Sequence, residues 1–383
     1  MNSDRGPGPP QPPQSDGGLL TTSARSDRVR GALRVALLTA VNIAGLLVLL
    51  VVTFLALGIG PQDALGKLWV GAFGDAESGH LYSISETLVD TTPLLLTALS
   101  IVVAWRTGLF SIGAEGQLLV GALAATAIGV HCGQTPGPLL TLVMLAAGGF
   151  AGAGWGWLAG WMRVKRNVQE VISTIMLNYM ALYLVKFMVE GPLQEKEHVN
   201  RQSDMMPSGA LFAHVLPRAW SNDMVTRLHS GVLIAVLAVP AVWLLLFRTR
   251  TGFGMRLVGQ NAEAARTGRF PVAKLRIQAL VISGALCGIA GVVELLGVTG
   301  RLYANFSPGW GYTAIPVALL GGLHPVGAML SALFFGALTA GSGNLNRFSG
   351  VSSVVGNVIQ ASAVLAVIGV RAWQARRSGE EIE

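Results

Sequence analysis

Charge is scarce in these 383 residues. Asp, Glu, Lys and Arg make up 12% of the chain, against roughly 25% in ordinary soluble domains. Hydrophobic residues make up 52%, and nine or ten spans of ~20 residues would occupy about half the length. That composition excludes a soluble globule and implies an all-α polytopic membrane protein. Cysteine is scarce as well. Cys132 and Cys287 are the only two, and both lie in or beside apolar runs, so no disulfide framework or cysteine-rich metal site can be drawn. They read as small apolar fillers.

Catalytic signatures are also missing. Residues 60–67 run Gly, five residues, Gly, Lys, followed by Leu68; a phosphate cradle needs four residues and then Ser or Thr for magnesium. The six histidines make no H-E-x-x-H and no ligand pair at helical spacing. No G-x-G-x-x-G follows a strand, and no G-x-S-x-G elbow occurs. The chain reads as no enzyme, with no cofactor of its own. No arginine cluster lies at membrane depth, which disfavours a phosphorylated or multiply anionic solute. There is no arginine ladder of a voltage sensor and no TVGYG-like filter. A neutral or zwitterionic polar solute fits best.

The net charge of +7 points to a membrane rather than to nucleic acid, because the basic residues sit in short clusters between apolar runs. Residues 1–34, rich in Pro, Gly and Ser, read as a disordered cytoplasmic tail. The membrane domain runs over 35–370, and 371–383 form a second cytoplasmic tail. The clearest spans are 35–59, 138–162, 171–189, 232–247, 277–298 and 351–370. The apolar runs 93–105 and 118–130 are only thirteen residues each, about 20 Å as helix, too short for a ~30 Å core. Either they draw polar neighbours to membrane depth or they belong to broken helices. Between them lies RTGLFSIGAEGQ, whose glycines fit an interrupted helix lining a cavity. Residues 312–323 and 326–340 are a similar pair, read as two passes or a re-entrant hairpin. About ten transmembrane segments result, with both termini cytoplasmic. Nineteen of the 27 basic residues then lie inside. The inner loop 248–276 carries seven of them and one acid, Glu263; the outer loop 190–230 carries many of the acids.

Gly148, Gly152, Gly156 and Gly160 recur every fourth residue, a spacing that lets helix backbones approach closely in lipid. Gly284 and Gly288 repeat the pattern. Ionisable residues at membrane depth are functional candidates by default: Glu115, Glu294, Lys186 and Asp90. Lys186 and Glu190 are four apart and either pair or snorkel; Asp90 is placed at the outer interface, before Pro93. Glu115, bracketed by Gly113, Gly116 and Gln117, either caps a broken helix or touches a solute. Asn178, central in its span, either holds helices together or offers hydrogen bonds to a solute.

Four blocks carry a resemblance: 110–121 (FSIGAEGQLLVG), 169–193 (QEVISTIMLNYMALYLVKFMVEGPL), 258–265 (VGQNAEAA) and 321–327 (GGLHPVG). In this order they resemble the longer of the two permease subunits of bacterial ABC importers for nucleosides and simple sugars, within the broader ribose and branched-chain amino-acid permease family. The resemblance covers about residues 83–370. It implies a type II importer permease of the bacterial inner membrane that works with a second permease subunit, an ATP-binding subunit and an extracytoplasmic substrate-binding protein. ATP and magnesium would sit on the partner ATPase. It also implies that 248–276 is the coupling loop, with 261–267 as its short helix and Gly259, Asn261, Glu263, Ala264, Ala265 and Arg266 meeting the ATPase. The substrate path is placed at Ser111, Glu115, Gln117 and Asn178. Ser111 stands where the family usually has Asn, and Gly268-Arg269-Phe270 where it tends to read A-G-I. The resemblance implies nucleosides or a simple sugar as the solute. A branched-chain amino-acid permease is the alternative within the family; an ion-coupled secondary transporter, relying on Glu115, is the alternative outside it.

Overall fold

A computed structural model describes residues 60–75, 80–197, 199–215 and 226–349, with isolated positions from 48 to 55 and from 358 to 365. Both tails, most of the spans expected over 35–59 and 351–370, and Trp220 of the outer loop lie outside the described residues. The chain divides into two units, 54–361 and 1–53 with 362–383. The second is described only at isolated helical positions, and the first holds the helical bundle.

All described regular structure in this unit is helical: α1 (Pro61–Phe73), α2 (His80–Trp105), α3 (Ala114–His131), α4 (Gly137–Arg166), α5 (Glu170–Val189), α6 (Gly231–Arg248), α7 (Arg250–Gln260), α8 (Ala262–Thr267), α9 (Val272–Glu294, ending in a π turn at Leu295–Thr299), α10 (Trp310–Leu320) and α11 (Pro325–Ser349). Among the described residues, six helices are long and apolar enough to cross a membrane. Residues 60–67, the incomplete phosphate-loop pattern, enter α1 at Pro61, so they form helical turns and no cradle.

The two short apolar runs resolve differently from each other. Residues 93–105 are the second half of the 26-residue α2, which brings 80–92 into the helix. Its hydroxyls bond back to the helix itself: Thr91 to the Thr87 carbonyl at 2.6 Å, Thr92 to Leu88 at 2.8 Å and Thr97 to Pro93 at 2.6 Å. Polar groups so satisfied lose most of their cost in an apolar setting. Asp90 lies within this helix, three residues before Pro93. Residues 118–130 belong to the 18-residue α3. The chain between Arg106 and Gly113 is non-helical, the expected interruption.

The glycine spacing meets its partner in α9. A Cβ at Gly152 would strike the Gly284 carbonyl, and one at Gly156 the Leu280 carbonyl. One at Gly148 would strike Val292 and the Gly121 carbonyl of α3. Helices α3, α4 and α9 therefore touch backbone to backbone along one seam, with packing in place of a hydrophobic driving force. Asn167, in the left-handed region at φ 53°, ends α4 just after Arg163, Lys165 and Arg166, cations that suit a helix C-terminus. Arg163 then reaches Glu170 at the start of α5, 2.9 Å away.

At one end of the unit, Glu195 gathers the 190–230 loop. It accepts from Asn200 N at 2.8 Å, Gln202 Nε2 at 2.6 Å and Arg301 Nη1 at 3.1 Å. The Lys186–Glu190 pair does not form: Lys186 lies over the Tyr183 ring, and Glu190 pairs with Arg201 at 3.2 Å. At the opposite end, the basic loop folds into α7 and the six-residue α8. Thr249 Oγ1 caps α7 at Gly252 N, 3.0 Å, and Asn261 Oδ1 caps α8 at Glu263 N and Ala264 N, both 2.9 Å.

Candidate functional site

Two broken helices meet inside the unit. Helix α3 starts at Ala114 after the 106–113 interruption, and α10 starts at Trp310 after a non-helical stretch over 301–309. Each start leaves N–H groups with no partner inside its own helix. Glu115, in the first turn of α3, accepts from Gly311 N of α10 at 2.7 Å and from the Ser307 hydroxyl. Ser307 Oγ in turn accepts from Gly309 N at 3.1 Å and Trp310 N at 3.2 Å. One carboxylate thus lies between the positive ends of two helices, the placement that the helix dipole favours for an anion. Gly311 permits it, since a Cβ there would overlap the Glu115 backbone.

Helix α5 supplies the third wall. Asn178 Oδ1 accepts from Gly116 N at 2.9 Å; Asn178 Nδ2 donates to the Ile112 carbonyl at 2.9 Å and to the Tyr312 hydroxyl at 3.2 Å. Thr174 Oγ1 accepts from Ile112 N at 3.2 Å. Ser111 Oγ accepts from Gly113 N at 3.2 Å, so a hydroxyl holds the turn before α3. Gln117 is directed toward Gly156 of α4, and its Oε1 is buried without a hydrogen-bond partner, as is Trp310 Nε1. Ser111, Glu115, Gln117 and Asn178 are all buried, and the structure brings them together around the start of α3. The exposed phenols beside Asn178 are Tyr179 and Tyr312; Tyr303 and Asn305 are exposed farther along the non-helical stretch, where Tyr303 bridges Gln202 of the 190–230 loop.

Sequence reasoning singled out Glu115 and missed its partners. Gly311 is 196 residues away, yet S-P-G-W-G at 307–311 carries the same signal as the first break, helix breakers directly before an apolar run. It also missed Glu86, a largely buried carboxylate on α2 held by Arg227 of the 190–230 loop through Nε and Nη2. Among the described residues no group of three His, Cys, Asp or Glu could hold a metal ion.

Below the break, the interruption ties to the basic loop. Gly108, at φ 72°, and Gly259 of α7 pack backbone to backbone; a Cβ on Gly259 would strike the Arg106 carbonyl. Arg106 Nε donates to the Leu323 carbonyl at 2.8 Å, in the turn between α10 and α11. Arg106 and Arg256 both lie over the Phe247 ring, at 5.8 Å and 4.8 Å. One arginine therefore links the turn before α3, the turn after α10 and the end of α6. Of the other residues expected to meet the ATPase, Ala265 is buried, while Glu263 and Arg266 form an exposed pair at 3.0 Å.

Helices interrupted inside an apolar bundle, with buried polar caps and an exposed non-helical stretch, define a membrane protein that moves a polar solute: lipid-exposed irregular backbone is not tolerated, and cavity-lining backbone is. Residues 83–368 match the family described as branched-chain amino acid transport system / permease component. The chain belongs to this family: it is a permease subunit of an ABC importer and a multi-pass protein of the inner membrane. It is 35% identical to a glucose ABC transporter permease protein of Haloferax volcanii, over 86% of each chain. It is 35% identical to a guanosine ABC transporter permease protein of Bacillus subtilis, over 81% of this chain and 86% of the relative. It is 30% identical to a nucleoside ABC transporter permease protein of Lactococcus lactis subsp. cremoris, over 82% of this chain and 86% of the relative. No solved structure matches it.

Proposed function

We propose that this chain forms half of a translocation path for a neutral polar solute, nucleosides first and simple sugars next. The observation that carries the reading is the state of Glu115. The carboxylate of the α3 break is already held by Gly311 N–H and Ser307, and the exposed groups near it are the phenols of Tyr312 and Tyr179. A surface of that kind suits ring hydroxyls and carbonyls, and offers an amino acid's ammonium and carboxylate no paired counter-charge. Relatives named for guanosine, nucleosides and glucose support the same solutes. The family's description keeps branched-chain amino acids as the second reading. An ion-coupled carrier is supported less, because Glu115 is engaged in holding two helices.

In this reading about ten segments cross the membrane, both termini are cytoplasmic, and the fold is that of a type II ABC importer permease. The chain pairs with a second permease subunit. An ATP-binding subunit, carrying ATP and magnesium, seats α8 through the exposed Asn261, Glu263, Ala264 and Arg266, while Ala265, expected to meet it as well, is packed inside this chain. An extracytoplasmic binding protein docks at the 190–230 loop. Closure of the ATPases pushes α7 and α8, and Gly259 passes the motion to Arg106, which carries the turns at both broken helices.

The test is uptake of labelled guanosine, glucose and leucine by cells carrying the complete gene cluster, with and without this chain. Loss of guanosine or glucose uptake alone is the expected result. Loss confined to leucine overturns the solute assignment and leaves the importer standing.

A further inference from the structure

We propose that Tyr312 is the residue through which the path touches its solute, and that Asn178 is the positioning residue that aims it. The inference rests on the reading of the junction of α3, α5 and α10 as part of the translocation path.

Asn178 is the polar residue a sequence would nominate for solute contact, but its amide is engaged. Oδ1 takes Gly116 N–H, and Nδ2 gives to the Ile112 carbonyl and the Tyr312 hydroxyl. Both donors of the amide have partners inside the protein, and the side chain is 2% exposed. Tyr312 is the opposite: 44% exposed, with its oxygen accepting from Asn178. A phenol that accepts from one side keeps its own O–H to donate on the other. Asn178 thereby fixes where that proton points.

The depth of these groups argues for a wet face. Asn178 is eight residues from Glu170, or ~12 Å along α5, near the middle of a 20-residue helix. Tyr179, the next residue, is 53% exposed and its phenol interacts with that of Tyr312. Tyrosines facing lipid concentrate at the membrane surfaces, where the hydroxyl finds water. Two exposed phenols at mid-span need a polar setting. Two aromatic faces and one outward O–H, with the carboxylate engaged elsewhere, fit a neutral ring bearing an oxygen acceptor. A nucleoside base and a pyranose share that chemistry.

The experiment uses the complete importer in proteoliposomes with its binding protein, measuring guanosine or glucose uptake per ATP hydrolysed, basal ATP hydrolysis and recovery of the second permease. Tyr312→Phe keeps the ring and removes the hydrogen bond; uptake per ATP is expected to fall about three- to tenfold. Tyr312→Ala removes both, for a fall of about tenfold or more. Basal hydrolysis and assembly stay unchanged in both. Asn178→Asp keeps an acceptor for Gly116 but loses the donors to both Ile112 and Tyr312; the part of its fall in uptake per ATP that acts through Tyr312 should be absent in the Y312F background. Whichever solute responds more strongly identifies the ring. Wild-type uptake per ATP in Y312A overturns the proposal. So does loss of the second permease from Y312F and Y312A preparations, which would make this face a subunit contact. If wild-type importer moves neither guanosine nor glucose, the solute assignment fails by itself, and the same variants test Tyr312 with the solute that is moved.

Discussion

His229 is buried against Gly231 and Gly297 and stacks on Phe212 with ring centroids 5.8 Å apart. Burial first, then the neighbouring His214 and Arg227, push its imidazole down to about 4 from an ordinary 6.5. The folded loop therefore holds His229 neutral, while the unfolded chain takes up a proton below about pH 6.5. Stability falls as pH drops from 6.5 towards 4 and loses nothing further from this group below that. The full shift corresponds to on the order of 3 kcal/mol. Glu195 acts in the same direction: the Gln202 and Asn200 hydrogen bonds hold its carboxyl below the usual range, so its contribution also fades on acidification. Thermal unfolding of the purified importer between pH 7.5 and 4.5 should show the midpoint falling with acidity. His229→Gln should flatten that dependence, with Glu195 entering only at the acid end, where the unfolded carboxyl begins to take up a proton. A His229→Gln profile parallel to wild type would rule out the titration of this residue.

Helix α8 is too short to hold itself: six residues cannot pass the nucleation cost of a helix. Asn261 satisfies two of its free N–H groups, and Phe270 N closes its far end on the Ala265 carbonyl at 2.9 Å. Asn261→Ala should remove about 1 kcal/mol of local helix stability and lower uptake several-fold, while membrane insertion and yield stay unchanged. Uptake and yield measured together check this, and full uptake would detach α8 from coupling. The short helix at 261–267 entered through the family resemblance, and its Asn261 cap was not read from the sequence. The 106–113 interruption and the glycine face of α4 were legible, both written in neighbouring residues. The second half of the site was not. Glu115 meets Gly311 and Asn178 meets Tyr312 only after three helices have packed, and no spacing rule joins residues so far apart. Helix α2 was half legible: hydropathy marks 93–105, but the hydroxyls that let 80–92 continue the same helix are satisfied by backbone four residues back, which hydropathy does not register.

For the chain as a whole, orientation can be read from a residue already present. Cys132, in the turn between α3 and α4, is exposed, whereas Cys287 is buried with Sγ 2.8 Å from Ser100 Oγ. With both termini cytoplasmic, the α3–α4 turn faces outward. A membrane-impermeant maleimide should label the protein in intact cells, and Cys132→Ser should abolish that labelling. Labelling that requires permeabilised cells would invert the topology and place the basic 248–276 loop outside.

The glycine seam also limits which parts can move. At Gly152, Gly156, Gly284 and Gly288 its contacts are carbonyls against α-carbons, which have no rotamers to yield, and the α4 glycines recur every fourth residue. If α4 slid along α9 by one residue, a side chain would arrive where only a hydrogen fits. The next register that matches is four residues on, ~6 Å away, well beyond the shifts of about 1–2 Å that packed helices commonly make. The seam behaves as a keyed joint: α3, α4 and α9 travel as one block or not at all. Alternation between inward and outward states must then fall to joints made of side chains, where α10, α6 and the Arg106 turn meet that block.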